Sequence, residues 1–212
     1  TTLRATGVVT TGTVTLGTAS STPVAMPTLA SNASEFSFIG NPYVSPIDWN
    51  ALNRTGLTGY YYIWDPTLAT RGAYVSCFTD GTKSNGSSNV TTAIQSGQAF
   101  FVQNTSGVSA RQLDIVEANK TTGNTNVFRT STGTSTLGIQ LYLTANTNGT
   151  SQDGATVLFN NNYSNTVNDD DAGKFTNQDE NIAVQRGSSL MSIERRNTPL
   201  TTDTLQLKTW QL

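Results

Sequence analysis

Short runs in which apolar residues alternate with Thr, Ser, Gln or Gly recur along the chain, separated by clusters of Gly, Asn, Asp and Ser. Period-two alternation marks a strand with one buried face, and the polar clusters mark the turns between strands. The pattern predicts strands at 36–40, 60–64, 73–78, 99–103, 112–117, 127–130, 137–143, 156–159, 182–185, 190–194 and 204–207. Turns fall at Asp80-Gly81, Asn85-Gly86, Ser96-Gly97, Asn148-Gly149 and Asp153-Gly154. Residues 3–18 alternate less regularly, as a half-buried hairpin does, and 20–34 form a Pro/Ser/Ala-rich connector.

One segment reads as a helix start. Ser45 can cap free N–H groups, Pro46 suits the first helical position and Asp48 places a negative charge in the first turn. Asn53 and Gly56 limit it to one or two turns. Many short strands with polar turns and no long helical period give an all-β chain, a β-sandwich or jelly roll. A polar, Gly-containing break near 119–126 suggests two packed β-subdomains, 1–120 and 121–212, the second incomplete at its C-terminus as a jelly roll.

Composition narrows the function. Charged residues make up 12% of the 212 positions, against about 25% in an average soluble domain, and Thr, Asn, Ser and Gly take their place. Such hydroxyl- and amide-rich strands suit secreted or cell-surface β-proteins. The net charge is -2 and Arg195-Arg196 is the only adjacent basic pair, so nucleic-acid binding lacks its electrostatic footprint. No apolar run reaches the roughly 18 residues of a membrane-spanning helix. The chain opens in strand-like sequence without Met or a signal-type segment, which reads as a mature or internal stretch. There is no histidine, which removes Ser-His-Asp, Cys-His and His-ligated metal chemistry from this chain. The single cysteine, Cys77, lies in a strand-like run and reads as a small core residue. The chain is therefore expected to be non-catalytic and to carry no cofactor other than a candidate Ca²⁺.

Three segments carry a resemblance: 38–49 (FIGNPYVSPIDW), 61–66 (YYIWDP) and 94–102 (IQSGQAFFV). In this order they resemble a region of large Bacteroidetes-type secreted surface or adhesin-like proteins exported by type IX secretion. Phe128-Arg129, 169–174 (DDDAGK), 181–183 and 190–194 extend the resemblance over most of 36–210. It implies a β-sandwich-rich fold, extracellular or cell-surface display and no catalytic residues. Such proteins usually continue beyond the equivalent of 207–210 with further strands and a sorting domain. Here the sequence stops at Leu212, so those strands are absent or come from another segment or subunit.

Three candidate sites remain. Asn168, Asp169, Asp170, Asp171 and Asp179 concentrate hard oxygen ligands suited to Ca²⁺. Asn168, Asp170, Gly173 and Asp179 match positions one, three, six and twelve of a calcium loop, while Ala172 fails at position five. The competing reading is a capped turn in which Lys174 neutralises a neighbour. Tyr60, Tyr62 and Trp64 share one face of a strand and form a candidate glycan platform, unless that face is core. Asp203-Thr204-Leu205 resembles the short Bacteroidetes O-glycan acceptor, with Thr204 as the modified residue. The expected role is a structural or adhesive β-domain whose partners are neighbouring domains, copies of itself or surface glycans. The alternatives are a filament subunit, completed by exchange of a strand from 3–18, and a carbohydrate-binding module.

Overall fold

A computed structural model describes residues 12–17, 28–107, 110–122, 135–142 and 149–212. The fold is all-β and sandwich-like, built of several sheets. The strands are β1 (Val14–Gly17), β2 (Phe36–Gly40), β3 (Ile47–Asp48), β4 (Asn53–Thr55), β5 (Leu57–Asp65), β6 (Ala73–Phe78), β7 (Ala93–Ile94) and β8 (Ala99–Asn104). They continue with β9 (Gln112–Ile115), β10 (Ser135–Leu141), β11 (Asp153–Phe159), β12 (Ala172–Gly173), β13 (Asn181–Arg186), β14 (Ser189–Arg196) and β15 (Gln206–Trp210). Sheets form in the orders β1-β9-β4, β2-β8-β5-β6 and β3-β7, and a larger one in the order β10-β11-β14-β13-β15, to which β12 adds against β14. Among the described residues, no strand before β10 pairs with one after it.

The four-stranded sheet is the middle layer. On one face Tyr61, Ile63, Cys77, Phe100 and Val102 pack with Val14, Leu16, Trp49, Leu113 and Ile115. On the other, Tyr60 and Tyr62 pack with Leu158, Ala172 and Ile193 from the larger sheet. A strand that alternates side chains across two packed faces must be apolar on both, and β5 is so from Tyr60 to Trp64. The far face of the larger sheet buries Ala155, Val157, Val184 and Met191.

The sequence motifs are structural devices. Asn41, after β2, donates through Nδ2 to the carbonyls of Ser45, Ile94 and Gln95 and accepts from Tyr43 N–H through Oδ1. Tyr43 then reaches Ile115 O at 2.9 Å. Asp65 accepts from the Thr67 N–H and hydroxyl and from the Ser88 hydroxyl, closing the turn after β5. The Trp49 indole N–H donates to Gly59 O at 2.8 Å.

Three local expectations are corrected. The segment at 45–52 is not an α-helix with Ser45 as its cap. Residues 47–48 pair with β7, and a single 3-10 turn (Trp49–Ala51) follows, capped by the Asp48 side chain. Pairing of Ile47 with Ile94 in the core outweighs the helix signals. Asp153-Gly154 is not a turn but the start of β11. A Cβ at Gly154 would meet Ser84 O at 2.9 Å, so this glycine serves a close backbone approach. The last strand runs from Gln206 rather than from 204. The strand expected at 127–130 and most of the hairpin at 3–18 lie outside the described residues.

Candidate functional site

The larger sheet is joined to the middle layer through buried charge. Arg195, on β14, donates to the Asp80 carboxylate at 3.0 Å, the Tyr60 hydroxyl at 3.3 Å and the Tyr163 hydroxyl at 3.0 Å. Its guanidinium lies 4.2 Å from the Phe78 ring centroid. The Tyr60 hydroxyl donates to Asp170 O at 2.5 Å, and burial raises its phenol pKa strongly. Nearby, the Lys174 ammonium meets both Asp153 oxygens at 2.6 and 2.5 Å, with each side chain only 2% exposed. Asp153 also accepts from the Ile182 N–H at 2.6 Å. Ser76 and Ser192 share a hydroxyl contact of 2.7 Å across the same interface.

The candidate calcium ligands are divided among protein partners. Asp171 accepts from the Arg195 and Asn168 backbone N–H groups, and Asn168 Oδ1 accepts from Asp170 N–H. Asp169 accepts from Ser106, while Asp179 pairs with Arg71 at 3.4 Å. The geometry therefore shows a self-capped turn, and among the described residues no three acidic or sulfur side chains converge on a common point. Burial raises the Asp171 pKa, and the hydrogen bonds from the Arg195 and Asn168 N–H groups act against that rise. Lys174 neutralises Asp153 rather than a residue of its own loop.

The proposed Tyr60–Tyr62–Trp64 glycan platform is corrected by burial. Tyr60 is 0% and Tyr62 1% exposed, because the larger sheet covers that face of β5. Neither ring has a face left for a sugar. Trp64, at the end of β5, stays partly exposed. Its neighbours form a group that the strand pattern did not single out. Phe38 on β2, Phe101 on β8, Tyr74 on β6 and Trp64 follow one another with ring centroids 4.6, 6.1 and 4.8 Å apart. Phe175 lies 5.0 Å from Phe101 and 5.1 Å from Phe36. The signal available in the sequence was the alternation Phe36-Ser37-Phe38 on a strand that proves to be an edge.

Phe36 also lines a cleft of about 580 Å³, together with Gln103, Asn104, Asp169, Lys174 and Met191. Asn104 is 1% exposed; its Nδ2 donates to Ala30 O and Asn32 O, and its Oδ1 has no partner among the described residues. Thr204 is exposed just before β15. Cys77 is buried, and burial pushes its thiol pKa up to about 12.

Comparison of the chain with protein-family models, with curated proteins and with solved structures returned no match.

Proposed function

We propose that the chain is a non-catalytic structural or adhesive β-module of a secreted or cell-surface bacterial protein. The observation that supports this best is where the fold spends its charge. Arg195 with Asp80, and Lys174 with Asp153, tie strands and layers to one another. With no histidine and a buried, protonated thiol, the chain offers a packed scaffold and a sparsely charged, hydroxyl-rich surface. Antibodies against the chain should label intact producing cells, and protease applied to those cells should remove the epitope. Labelling only after lysis would overturn the reading.

A self-assembling subunit is the second reading, favoured by the edges of the larger sheet. Val14–Gly17, the described part of 3–18, pairs with β9 of its own chain, which speaks against donating that stretch to a neighbour. Strands β10 and β15 instead lie at opposite edges and run in opposite directions, by the pairings across the sheet. Copies related by translation would thus bring β15 antiparallel to β10. Strand β10 carries no charge, and Leu137 on it is exposed, so little opposes edge pairing. Sedimentation at rising concentration should show growing assemblies that Leu137→Lys abolishes; a monomer at every concentration removes this reading.

A further inference from the structure

We infer that the free edge of β2 is a self-association surface, on which the β2 strand of a second copy of this chain pairs antiparallel about a two-fold axis through Phe38. The contact uses neither the β10 nor the β15 edge, and its test does not depend on where the chain is displayed.

The four-stranded sheet β2-β8-β5-β6 has two edges, and the fold treats them differently. On β6 the outward backbone groups are closed within the chain. The Tyr74 N–H donates to Asn177 Oδ1 at 2.7 Å, the Ser76 N–H to Ser84 Oγ at 3.1 Å and the Phe78 N–H to Thr82 O at 2.8 Å. Ser76 O accepts from the Ser84 N–H at 3.0 Å. On β2 the outward groups are open. The Asn104 N–H donates to Glu35 O and the Asn41 N–H to Gln98 O, which fixes the phase of pairing with β8. In that phase Ser37 and Ile39 turn their N–H and C=O groups toward β8, while Phe36, Phe38 and Gly40 turn theirs away from it. Among the described residues no hydrogen bond takes up these outward groups.

Such an edge is a template for another strand, and the usual deterrents are missing, since Phe36–Gly40 holds no charge, proline or bulge. Phe38 is 59% exposed. The three outward residues set the register in which the edge meets its own copy. Phe38 lies opposite Phe38 of the second copy, and Phe36 lies opposite its Gly40. Three residues on each copy, each donating one bond, close six hydrogen bonds across the axis. The side chains fit this register. Aromatic residues directly opposite one another attract. A Cβ built at Gly40 meets nothing within 4 Å, which leaves the space beside it to the Phe36 ring of the other copy. Glu35 falls opposite Asn41 rather than its own equivalent, so no like charges meet. A strand of other sequence gains the backbone bonds alone. Five residues a side fall short of the roughly 800 Å² per partner of a standard complex, so the dimer is weak and exchanges rapidly. Copies held side by side on one surface reach the effective concentrations at which such a contact forms.

The test is sedimentation equilibrium of the whole chain up to about 1 mM, carrying Leu137→Lys so that the β10 edge is blocked. A reversible monomer–dimer equilibrium that stops at the dimer is expected, because a two-fold contact closes on itself. Added to that chain, Phe38→Lys or Phe38→Glu places like charges opposite each other at the axis and should weaken the dimer about tenfold. An equimolar mixture of the two should recover it as a heterodimer. Circular dichroism should show both variants folded, since the replaced ring is exposed. Amide hydrogen exchange should slow with rising concentration at Phe36, Phe38 and Gly40 and stay unchanged at Ser37 and Ile39, which already face β8. A monomer at every concentration, growth past the dimer, a mixture no tighter than either variant alone, or protection without that alternation would each overturn the inference. So would capture of a different protein at β2 by a chain that stays monomeric. Cell-surface labelling and growth through β10 in the parent chain are read separately, so each reading falls on its own.

Discussion

Replacing Lys174 by Met tests how much of the fold depends on one buried ion pair. The Lys174–Asp153 contact is 2.5 Å at its shortest, and both side chains are almost completely buried. At an effective dielectric near 20, two unit charges at that distance attract by roughly 7 kcal/mol. Removing two ions from water costs several kcal/mol each, so the intact pair roughly breaks even against an apolar pair of similar size. Lys174→Met is a different matter, since it leaves the Asp153 carboxylate in the interior with only the Ile182 N–H to stabilise it. That orphaned charge sets the expected loss at about 3–5 kcal/mol. The double variant Asp153→Leu/Lys174→Met removes both charges and should recover most of the loss. Urea unfolding followed by circular dichroism gives each value, with the four proteins forming a cycle. A single variant within about 1 kcal/mol of the parent, or a double variant as unstable as the single one, would refute the reasoning.

Asp80 should make the chain acid-sensitive. Burial pushes its carboxyl pKa up, but hydrogen bonds from Thr82 and Arg195 outweigh this and hold it below the usual Asp value. A depressed folded pKa gives stability that is present above the unfolded value, near 4, and lost as pH falls through the folded one. The stability gap between the parent and Asp80→Asn should therefore be widest at neutral pH and close in acid, as urea unfolding at several pH values would read. Cys77 should resist iodoacetamide in the folded chain at about pH 8 and react once urea unfolds it, because its thiol is buried and protonated. Gly72→Ala should cost about 1–3 kcal/mol, since φ is +93° and the new methyl meets the Trp64 indole. Thermal melting and a shift in tryptophan fluorescence would report it.

The strand pattern was largely legible because alternation is a local property. The run 73–78 matches β6 in both bounds, and 60–64, 99–103 and 182–185 fall within β5, β8 and β13. Local signals failed where a distant partner decided the backbone. Pairing with β7 drew Ile47–Asp48 out of a helix, and the approach of Ser84 made Gly154 part of a strand.

The sequence by itself determined the all-β class, the missing histidine chemistry and the apolar character of both faces of β5. Only the tertiary structure decided which aromatic residues are buried. Tyr60, Tyr62 and Trp64 look alike along the strand, yet the larger sheet covers the first two and leaves the third partly exposed. It also decided that Phe38, Phe101 and Tyr74 join Trp64, residues far apart in the chain that a four-stranded sheet brings into one row. The physical reason is that alternation records which residues share a face of one strand. Whether a face meets solvent or another layer is set by packing between sheets, to which residues 100 or more positions away contribute.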